Sequence, residues 1–305
     1  MRADLTIGPI LFHWPAERMR DFYFRIADEA PVDTVYLGEV VCSKRAPFFA
    51  PHYRDVTERL ARAGKTVVLS TLAEAMIKRE RKMIAEMCGQ EDFAVEANDN
   101  AALFHLRGKP HRVGPFVNVY SEDTLAFLAA KGATHITLPQ ELPAGALAVL
   151  GQAARELGVG LEVQVHGRIP LALSARCYHA RAHGRVKDNC QLICEQDPDG
   201  MELKTLDGQP FLAVNGIQTL SYTCLNLAHE LKQLGEMGIG AFRLSPHSGD
   251  MVETARIFRA LADGEIQPEE ATTRLGEIGP QVPFANGFFH KREGYQWIGG
   301  VPERR

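Results

Sequence analysis

The sequence predicts an α/β protein whose core is a (β/α)8 barrel of the TIM type, and three observations lead to this prediction. Short runs of β-branched and apolar residues alternate with helix-like segments from residue 5 to residue 263. Eight of these runs are strand candidates, and most of them are followed by a helix candidate. The runs show little polar alternation, as expected of parallel strands that helices cover. An open doubly wound sheet is the alternative, because periodicity alone cannot show that a sheet closes.

Each strand candidate is rich in Val, Ile, Leu, Phe or Thr, and each helix candidate carries apolar side chains three or four positions apart. The strand candidates are residues 5–12, 34–38, 66–70, 93–96, 116–120, 135–138, 160–165 and 241–244. The helix candidates are residues 16–30, 53–63, 73–88, 101–106, 122–131, 143–157, 220–236 and 250–263. A glycine stands between a helix candidate and the next strand candidate at four places, where a left-handed cap is commonly needed: Gly64, Gly132, Gly158 and Gly240.

A long segment, residues 167–218, interrupts the alternation after the seventh strand candidate. It contains three of the six cysteines and a predicted β-hairpin formed by residues 201–206 and 211–214, with Asp207-Gly208 at its turn. An insertion of this length in a compact domain is usually functional or disordered. The cysteines and the apolar hairpin argue against disorder, so we expect a functional insertion.

The predicted organisation is a barrel-like domain, residues 1–263, which includes this insertion, and a C-terminal arm, residues 264–305. We expect the arm to be ordered because it is rich in aromatic residues, and to pack either on the barrel or on a partner. These aromatic residues are Phe284, Phe288, Phe289, Tyr295 and Trp297.

Charge and composition exclude several classes of protein. The 34 basic and 38 acidic residues give a net charge of −4, which is unlike the basic balance of a nucleic-acid-binding protein. No apolar run approaches the roughly 18 residues of a membrane span, and the N-terminus lacks the pattern of a secretory signal. We therefore expect a cytoplasmic protein, in which cysteines serve as thiols or metal ligands rather than as disulfides.

Three cysteines of the insertion form the pattern C-x12-C-x3-C: Cys177, Cys190 and Cys194. They suit a metal site better than a set of small buried hydrophobic residues, but a fourth ligand is missing. Cys42 is the natural candidate, because the loops after the second and seventh strands of a barrel open on the same face. Cys224 is its only serious rival, whereas Cys88 is expected to be a packing residue.

The identity of the metal stays open at this point. Four thiolates suit tetrahedral zinc or an iron–sulfur cluster, and the scattered spacing suits a cluster slightly better. His179 and His183 offer a Cys3His zinc site as an alternative. Four basic residues near the cysteines would stabilise an anionic cluster or bind an anionic substrate: Lys44, Arg45, Arg176 and Arg181. No G-x-S-x-G motif or complete zinc-protease motif is present in the sequence, so an ordinary hydrolase has no support.

Several short segments resemble the U32 collagenase-like peptidase family, and within it the branch that serves ubiquinone biosynthesis. The resemblance covers essentially the whole chain, and the combination of Cys42 with the C-x3-C pair is its most specific part. In the sister protein UbiU, a ligand cysteine lies seven residues before the one that matches Cys177, where this chain has Pro170. The matching segments are YLGE at 36–39, CSKR at 42–45, SARCY at 174–178, KDNC at 187–190, NGIQT at 215–219, RLSP at 243–246 and NGF at 286–288.

The resemblance implies a 4Fe-4S cluster held by Cys42, Cys177, Cys190 and Cys194. It also implies a heterodimer with a UbiU-like protein, with oxygen-independent hydroxylation of a prenylated ring precursor of ubiquinone as its activity. Prephenate is then the expected oxygen donor, and a UbiT-like lipid-binding protein is an accessory. A non-catalytic scaffold stabilised by a cluster or by zinc, and a U32-type hydrolase, are the alternative functions. The residues themselves give no support to peptidase activity.

Overall fold

In the computed structural model, which describes residues 2–299, eight parallel strands form a closed barrel. The barrel strands are β1 (Asp4–Ile7), β2 (Thr34–Leu37), β3 (Thr66–Ser70), β4 (Ala94–Ala97), β5 (His111–Val113), β6 (Ala133–Thr137), β7 (Gly160–Leu173) and β11 (Ala241–Leu244). β11 pairs in parallel with both β7 and β1, which closes the sheet. The predicted barrel is therefore confirmed.

Helices lie around the barrel, and one short helix, Tyr178–Ala182, lies in the insertion. They are α1 (Ala16–Glu29), α2 (Ala46–Phe49), α3 (Tyr53–Arg62), α4 (Lys78–Gly89), α5 (Asn100–Leu106), α6 (Glu122–Ala130), α7 (Ala144–Leu157), α8 (Tyr178–Ala182), α9 (Leu231–Glu236), α10 (Met251–Ala262) and α11 (Pro268–Ile278). Most of their apolar faces join the strands in one large core, in which Leu60, Leu125 and Phe258 are fully buried, and α4 and α5 pack around a separate smaller core.

The insertion forms an antiparallel sheet that grows out of the barrel. β7 continues past the barrel rim and pairs with β10 (Gln218–Asn226), which pairs with β9 (Pro210–Asn215), and β9 pairs with β8 (Met201–Lys204). The predicted hairpin is present as β8 and β9. The predicted helix over residues 220–236 is wrong in its first half, because those residues pair with β7 and β9 as a strand and only Leu231–Glu236 is helical.

Two further predictions were wrong at the level of single elements. The fifth strand lies at His111–Val113 rather than at residues 116–120, because Pro115 begins a 3-10 turn and Asn118 adopts a left-handed φ of 62°. The helix predicted from residue 73 begins at Lys78. Its start is fixed by Glu80, whose carboxylate accepts hydrogen bonds from the backbone N–H groups of Met76 and Ile77.

The C-terminal arm packs on its own barrel. Its short strand β12 (Phe284–Ala285) pairs in parallel with β10. Phe289 is buried in the main core, and Trp297 lies against the rings of His229 and Phe284. Of the arm's five aromatic residues, Tyr295 is exposed. Aromatic richness in the arm is thus largely explained by intramolecular packing.

Within residues 2–299, no helix combines the length and the apolar character required to cross a lipid bilayer.

Candidate functional site

Cys42 lies in a tight turn that follows β2 at the carboxyl-terminal rim of the barrel. The Glu39 carboxylate accepts hydrogen bonds from the backbone N–H groups of Val41 and Cys42, both at 2.8 Å. The backbone N–H of Arg45 in turn donates to the backbone carbonyl of Cys42 at 2.9 Å. These bonds fix the direction in which the Cys42 side chain leaves the loop.

The other three predicted ligands lie on short turns of the insertion. Cys177 caps α8: its sulfur accepts a hydrogen bond from the Ala180 N–H at 3.4 Å and donates to the Gly216 carbonyl at 3.3 Å. Cys190 ends a 3-10 turn, and its carbonyl accepts a hydrogen bond from the Arg185 guanidinium at 3.1 Å. Cys194 is buried in the next turn.

The structure brings these four cysteines together, and three of them, Cys42, Cys177 and Cys194, interact with one arginine, Arg45. Burial raises the pKa of the Cys177 thiol, and the neighbouring thiols of Cys42 and Cys190 raise it further. Burial also raises the pKa of Cys194, against the opposing effect of Arg45. The same guanidinium lowers the pKa of Cys42, which burial raises. Each of these thiols therefore interacts electrostatically with the same small group of neighbours.

The remaining two cysteines lie elsewhere. Cys88 packs at the end of α4 against apolar side chains that include Ile84. Cys224 is buried on β10, where its sulfur lies 3.9 Å from a ring nitrogen of His166 and burial raises its pKa to about 12. The charged side chains that affect the pKa of Cys224 are Arg168 and Asp199, and none of the four grouped cysteines affects it. The rival to Cys42 is therefore placed outside the group.

Arg45 is the central cation of the site. Its side chain is only 3% exposed, and its guanidinium donates to the Leu11 carbonyl at 3.2 Å and to the Asn215 side-chain oxygen at 2.6 Å. Its Nε atom has no hydrogen-bond partner, and no carboxylate of the described residues lies within 4.0 Å of it. The buried Glu39 carboxylate, which holds the Cys42 turn, interacts with the guanidinium electrostatically and so compensates part of this buried charge.

The other predicted basic residues differ in their placement. The Lys44 ammonium donates to the Lys187 carbonyl and lies 3.5 Å from the Asp188 carboxylate, so it ties the Cys42 loop to the turn that precedes Cys190. Arg176 and Arg181 are exposed on the insertion. They flank Cys177 and α8 from the solvent side rather than from the buried side.

The motif Asn215-Gly216, to which we assigned no role from the sequence, organises the site. The Asn215 amide accepts from Arg45 and donates to the Cys194 carbonyl at 3.4 Å. Gly216 has a φ of 67°, and a Cβ atom there would lie 2.5 Å from the Arg45 guanidinium. Only glycine combines this conformation with this close approach. In the sequence, an Asn-Gly pair between two apolar runs predicts a turn. It does not indicate which residues contact that turn in the fold.

The donor set fits a metal centre. Buried thiols with raised pKa values stay protonated at neutral pH unless a cation stabilises their thiolates. Four thiolates on an iron–sulfur centre carry a net negative charge, which would add to that of Glu39 in compensating the buried Arg45 guanidinium. The sulfurs of Cys42, Cys177, Cys190 and Cys194 are therefore the atoms that would hold the group.

The spacing of the thiols bears on which metal they suit. Tetrahedral zinc with bonds of ~2.3 Å places its sulfur ligands ~3.8 Å apart. Among residues 2–299, the set of three potential ligand atoms that lie within 4.8 Å of one another consists of His179, His183 and Asp197 and contains no cysteine. The cysteine sulfurs are thus spread more widely than a zinc ion requires.

The barrel interior holds a second polar cluster that the sequence did not indicate. Arg243 donates to Glu162 at 2.8 Å and to Glu96 at 2.6 Å, and its guanidinium lies 3.9 Å above the ring of Tyr36. The other oxygen of Glu162 accepts from Tyr36 at 2.5 Å and lies 2.9 Å from His135. Burial opposes ionisation of Glu162, but Arg243 and His135 outweigh it and hold the pKa of this carboxyl well below its usual range. Both oxygens are fully engaged, so the cluster is suited to fixing the barrel strands.

An apolar cavity of about 350 Å³ lies between α2, α3 and α4, beside the Cys42 loop. Glu39, which holds the Cys42 turn, forms part of its wall. The apolar side chains that line it are Ala46, Pro47, Ala50, Tyr53, Leu72, Met83, Ile84 and Met87.

Two solved structures are similar to this chain, each at 10% sequence identity. One is phospho-2-dehydro-3-deoxyheptonate aldolase from Thermotoga maritima, with a TM-score of 0.42 over 90% of this chain and 69% of that chain. The other is an uncharacterised protein from Clostridium thermocellum that binds two copies of 5-methyl-5,6,7,8-tetrahydrofolic acid, with a TM-score of 0.45 over 86% of this chain and 95% of that chain.

Family membership follows from a comparison of the sequence with family profiles. The profile of peptidase family U32 matches residues 17–299, which include seven of the eight barrel strands, the four grouped cysteines and the motif at Asn215-Gly216. The chain therefore belongs to peptidase family U32.

Proposed function

We propose that the chain is the iron–sulfur subunit of a UbiU–UbiV-type complex that hydroxylates a prenylated ring precursor of ubiquinone without oxygen. A 4Fe-4S cluster would be held by Cys42, Cys177, Cys190 and Cys194. One observation carries the proposal: four cysteines from distant parts of the sequence are grouped at one rim of the barrel, and the thiols of Cys42, Cys177 and Cys194 interact with the buried Arg45 guanidinium.

One feature supports a cluster over zinc at this site. Among residues 2–299, no three cysteine sulfurs all lie within 4.8 Å of one another, whereas tetrahedral zinc would hold its sulfur ligands ~3.8 Å apart. The buried Arg45 guanidinium supports a thiolate-bound centre of either kind, because four thiolates on zinc or on a 4Fe-4S cluster leave a net negative charge. When bound, a cluster would supply one-electron chemistry at the barrel rim.

The surroundings of the cysteines support an apolar, partly anionic set of substrates. The cavity between α2 and α4 offers an apolar surface next to the Cys42 loop, as a prenylated ring requires. Arg176 and Arg181 are exposed on the cysteine-bearing insertion. Their planar guanidinium groups would bind a dicarboxylate such as prephenate through paired hydrogen bonds.

A non-catalytic scaffold is the second candidate function, and one observation favours it. Cys177, Cys190 and Cys194 lie on consecutive short turns that contribute little regular structure of their own. A metal centre that joined these turns to the Cys42 loop would stabilise the insertion whatever its redox role, as structural metals do in small domains.

The ubiquinone content of cells tests the proposal directly. Deletion of the gene should leave ubiquinone unchanged with oxygen and abolish it without oxygen, with an under-hydroxylated prenylated precursor accumulating. A Cys42→Ala allele should behave like the deletion, and a Cys88→Ala allele should behave like the wild type. Normal anaerobic ubiquinone in the deletion strain, with no paralogue present, would refute the proposal.

The proposed partner is tested by co-expression. A UbiU-like protein should form a stable one-to-one complex with this chain in size-exclusion chromatography, and a UbiT-like lipid-binding protein is the expected accessory. If the two chains elute separately as monomers at micromolar concentration, the heterodimer part of the proposal is wrong.

A further inference from the structure

We propose that His179, His183 and Asp197 form a binding site for a divalent transition-metal ion, separate from the four cysteines. One potential ligand atom from each of these residues lies within 4.8 Å of the other two. The histidines are four residues apart on α8 and at its carboxyl end, and their rings are stacked with an interplanar angle of 10°. Two imidazoles and a carboxylate are a common donor set for zinc and ferrous iron.

The ring nitrogens of both histidines are arranged as in a metal site. Nδ1 of His179 lies 3.2 Å from the Val214 carbonyl, and Nδ1 of His183 lies 3.0 Å from the His179 carbonyl. A carbonyl only accepts hydrogen bonds, so each neutral ring carries its proton on Nδ1 and presents the lone pair of Nε2. Metal-ligating histidines are typically oriented in this way by a hydrogen bond from the other ring nitrogen.

The buried nitrogen of His179 lacks a satisfactory partner in the protein. The residue is 0% exposed, and its Nε2 lies 2.9 Å from an oxygen of Asp197 but makes no hydrogen bond of acceptable geometry. With the proton on Nδ1, a lone pair of nitrogen faces a carboxylate oxygen, an arrangement that a shared cation stabilises. Tetrahedral zinc would place these two atoms ~3.4 Å apart, so only a small adjustment is needed.

The backbone that carries Asp197 is held in place independently of any metal. The Asn215 amide donates to the Asp197 carbonyl at 3.1 Å, and the indole N–H of Trp14 donates to the Pro198 carbonyl at 2.7 Å. His183 is exposed and Asp197 is partly exposed, so an ion can reach the site from solvent. Three protein ligands leave a position for water, as in zinc sites that are open to small molecules.

The experiment is a zinc titration of the full-length chain against a chromophoric chelator, with the four grouped cysteines occupied by their cluster or blocked by alkylation, followed by X-ray absorption of the zinc-loaded protein. One equivalent of zinc should bind, with nitrogen and oxygen neighbours at ~2.0–2.1 Å and no sulfur neighbour at ~2.3 Å. His183→Ala and Asp197→Asn should each weaken affinity at least tenfold. Both positions are accessible to solvent, so these variants should fold, which circular dichroism checks.

Two matched controls keep the result specific. His105→Ala removes an exposed histidine from α5, and Glu195→Gln removes a carboxylate two residues from Asp197; both should leave zinc affinity within twofold of the wild type. Sulfur neighbours around the zinc, equal affinity in the His183→Ala variant, or no binding above that expected of an exposed histidine would each overturn the proposal. No ligand of this site is a cysteine, so a chain without iron whose thiols are alkylated should still bind zinc here.

Discussion

At the residue scale, Arg45 determines what the cysteine site can hold. Its guanidinium is buried, and its hydrogen-bond partners are a carbonyl and an amide, both uncharged. Burial lowers the pKa of Arg45, but its neighbours Cys194, Glu39 and Cys42 outweigh this effect and raise it, so the group stays charged. An anionic centre among the four thiols would add to Glu39 in neutralising this charge.

This role predicts a change of redox potential. The Arg45 cation stabilises the reduced state of a bound cluster, which is the more negative state. Arg45→Met removes this stabilisation and should therefore lower the reduction potential of the cluster. We expect a shift of roughly 60 mV or more, the one-electron equivalent of about 1.4 kcal/mol. Arg181→Met, which removes an exposed arginine of the same insertion, should change the potential much less. Equal shifts in a spectroelectrochemical titration would show that Arg45 has no special contact with the cluster.

The ligand assignment is tested by single substitutions of cysteine. Cys42→Ala, Cys177→Ala, Cys190→Ala and Cys194→Ala should each lose or convert the cluster, because a thiolate ligand is removed. Cys88→Ala and Cys224→Ala should keep the wild-type iron content and absorption spectrum. If Cys224→Ala loses the cluster while Cys42→Ala retains it, the assignment is wrong.

The sequence indicated which cysteine-bearing loops would meet, but it did not indicate the residues that support those loops. Cys42 could be associated with Cys177 because barrel topology brings the loops after the second and seventh strands to one rim. Asn215 and Gly216 could not be assigned to the site, because their role depends on a close approach to Arg45 across more than 150 positions of the chain. Sequence spacing carries no information about such contacts.

At the scale of elements, the turn between β9 and β10 positions the site through Gly216. Gly216→Ala should destabilise the protein by about 1–3 kcal/mol, because a left-handed φ is forced on a residue with a Cβ that meets Arg45. Gly64→Ala is a matched control: its φ of 75° is similar, but nothing lies within 4 Å of the added Cβ. That variant should lose only about 1 kcal/mol. If urea unfolding shows that Gly216→Ala and Gly64→Ala lower the free energy of unfolding equally, the close contact between Gly216 and Arg45 is contradicted.

The same scale shows where strand and helix predictions succeed and fail. β3 was predicted with its observed bounds, since its run of apolar residues is flanked by a glycine turn and has no competing signal. The sequence predicts a helix over residues 220–236, because the apolar residues of β10 also fit a helical period. Pairing with β7 and β9 decides its conformation, and that pairing is set by distant residues.

At the scale of the whole molecule, the polar cluster inside the barrel links strands from opposite sides of the closed sheet. Glu162 on β7, Glu96 on β4 and Arg243 on β11 form two buried ion pairs. Removal of one partner would leave a buried charge uncompensated. The stability of the barrel should therefore depend on Glu162 more than on any exposed carboxylate.

Glu162→Gln should lower the free energy of unfolding by about 3–5 kcal/mol at pH 7. The folded-state pKa of Glu162 lies below its unfolded value, so its stabilisation is complete above pH ~4.3 and is lost as pH falls towards the folded-state pKa. The difference between wild type and variant should thus shrink below pH ~4. Glu86→Gln, in an exposed pair with Lys82, should change stability by less than about 0.5 kcal/mol at either pH. A pH-independent difference for Glu162→Gln would contradict this account.

The iron and acid-labile sulfide content of the chain purified without oxygen tests the central claim most directly. We predict about four iron and about four sulfide per chain, with the brown colour of a thiolate-bound cluster. A colourless protein with zinc bound by thiolates, or a protein with its thiols free and no iron, would contradict the account.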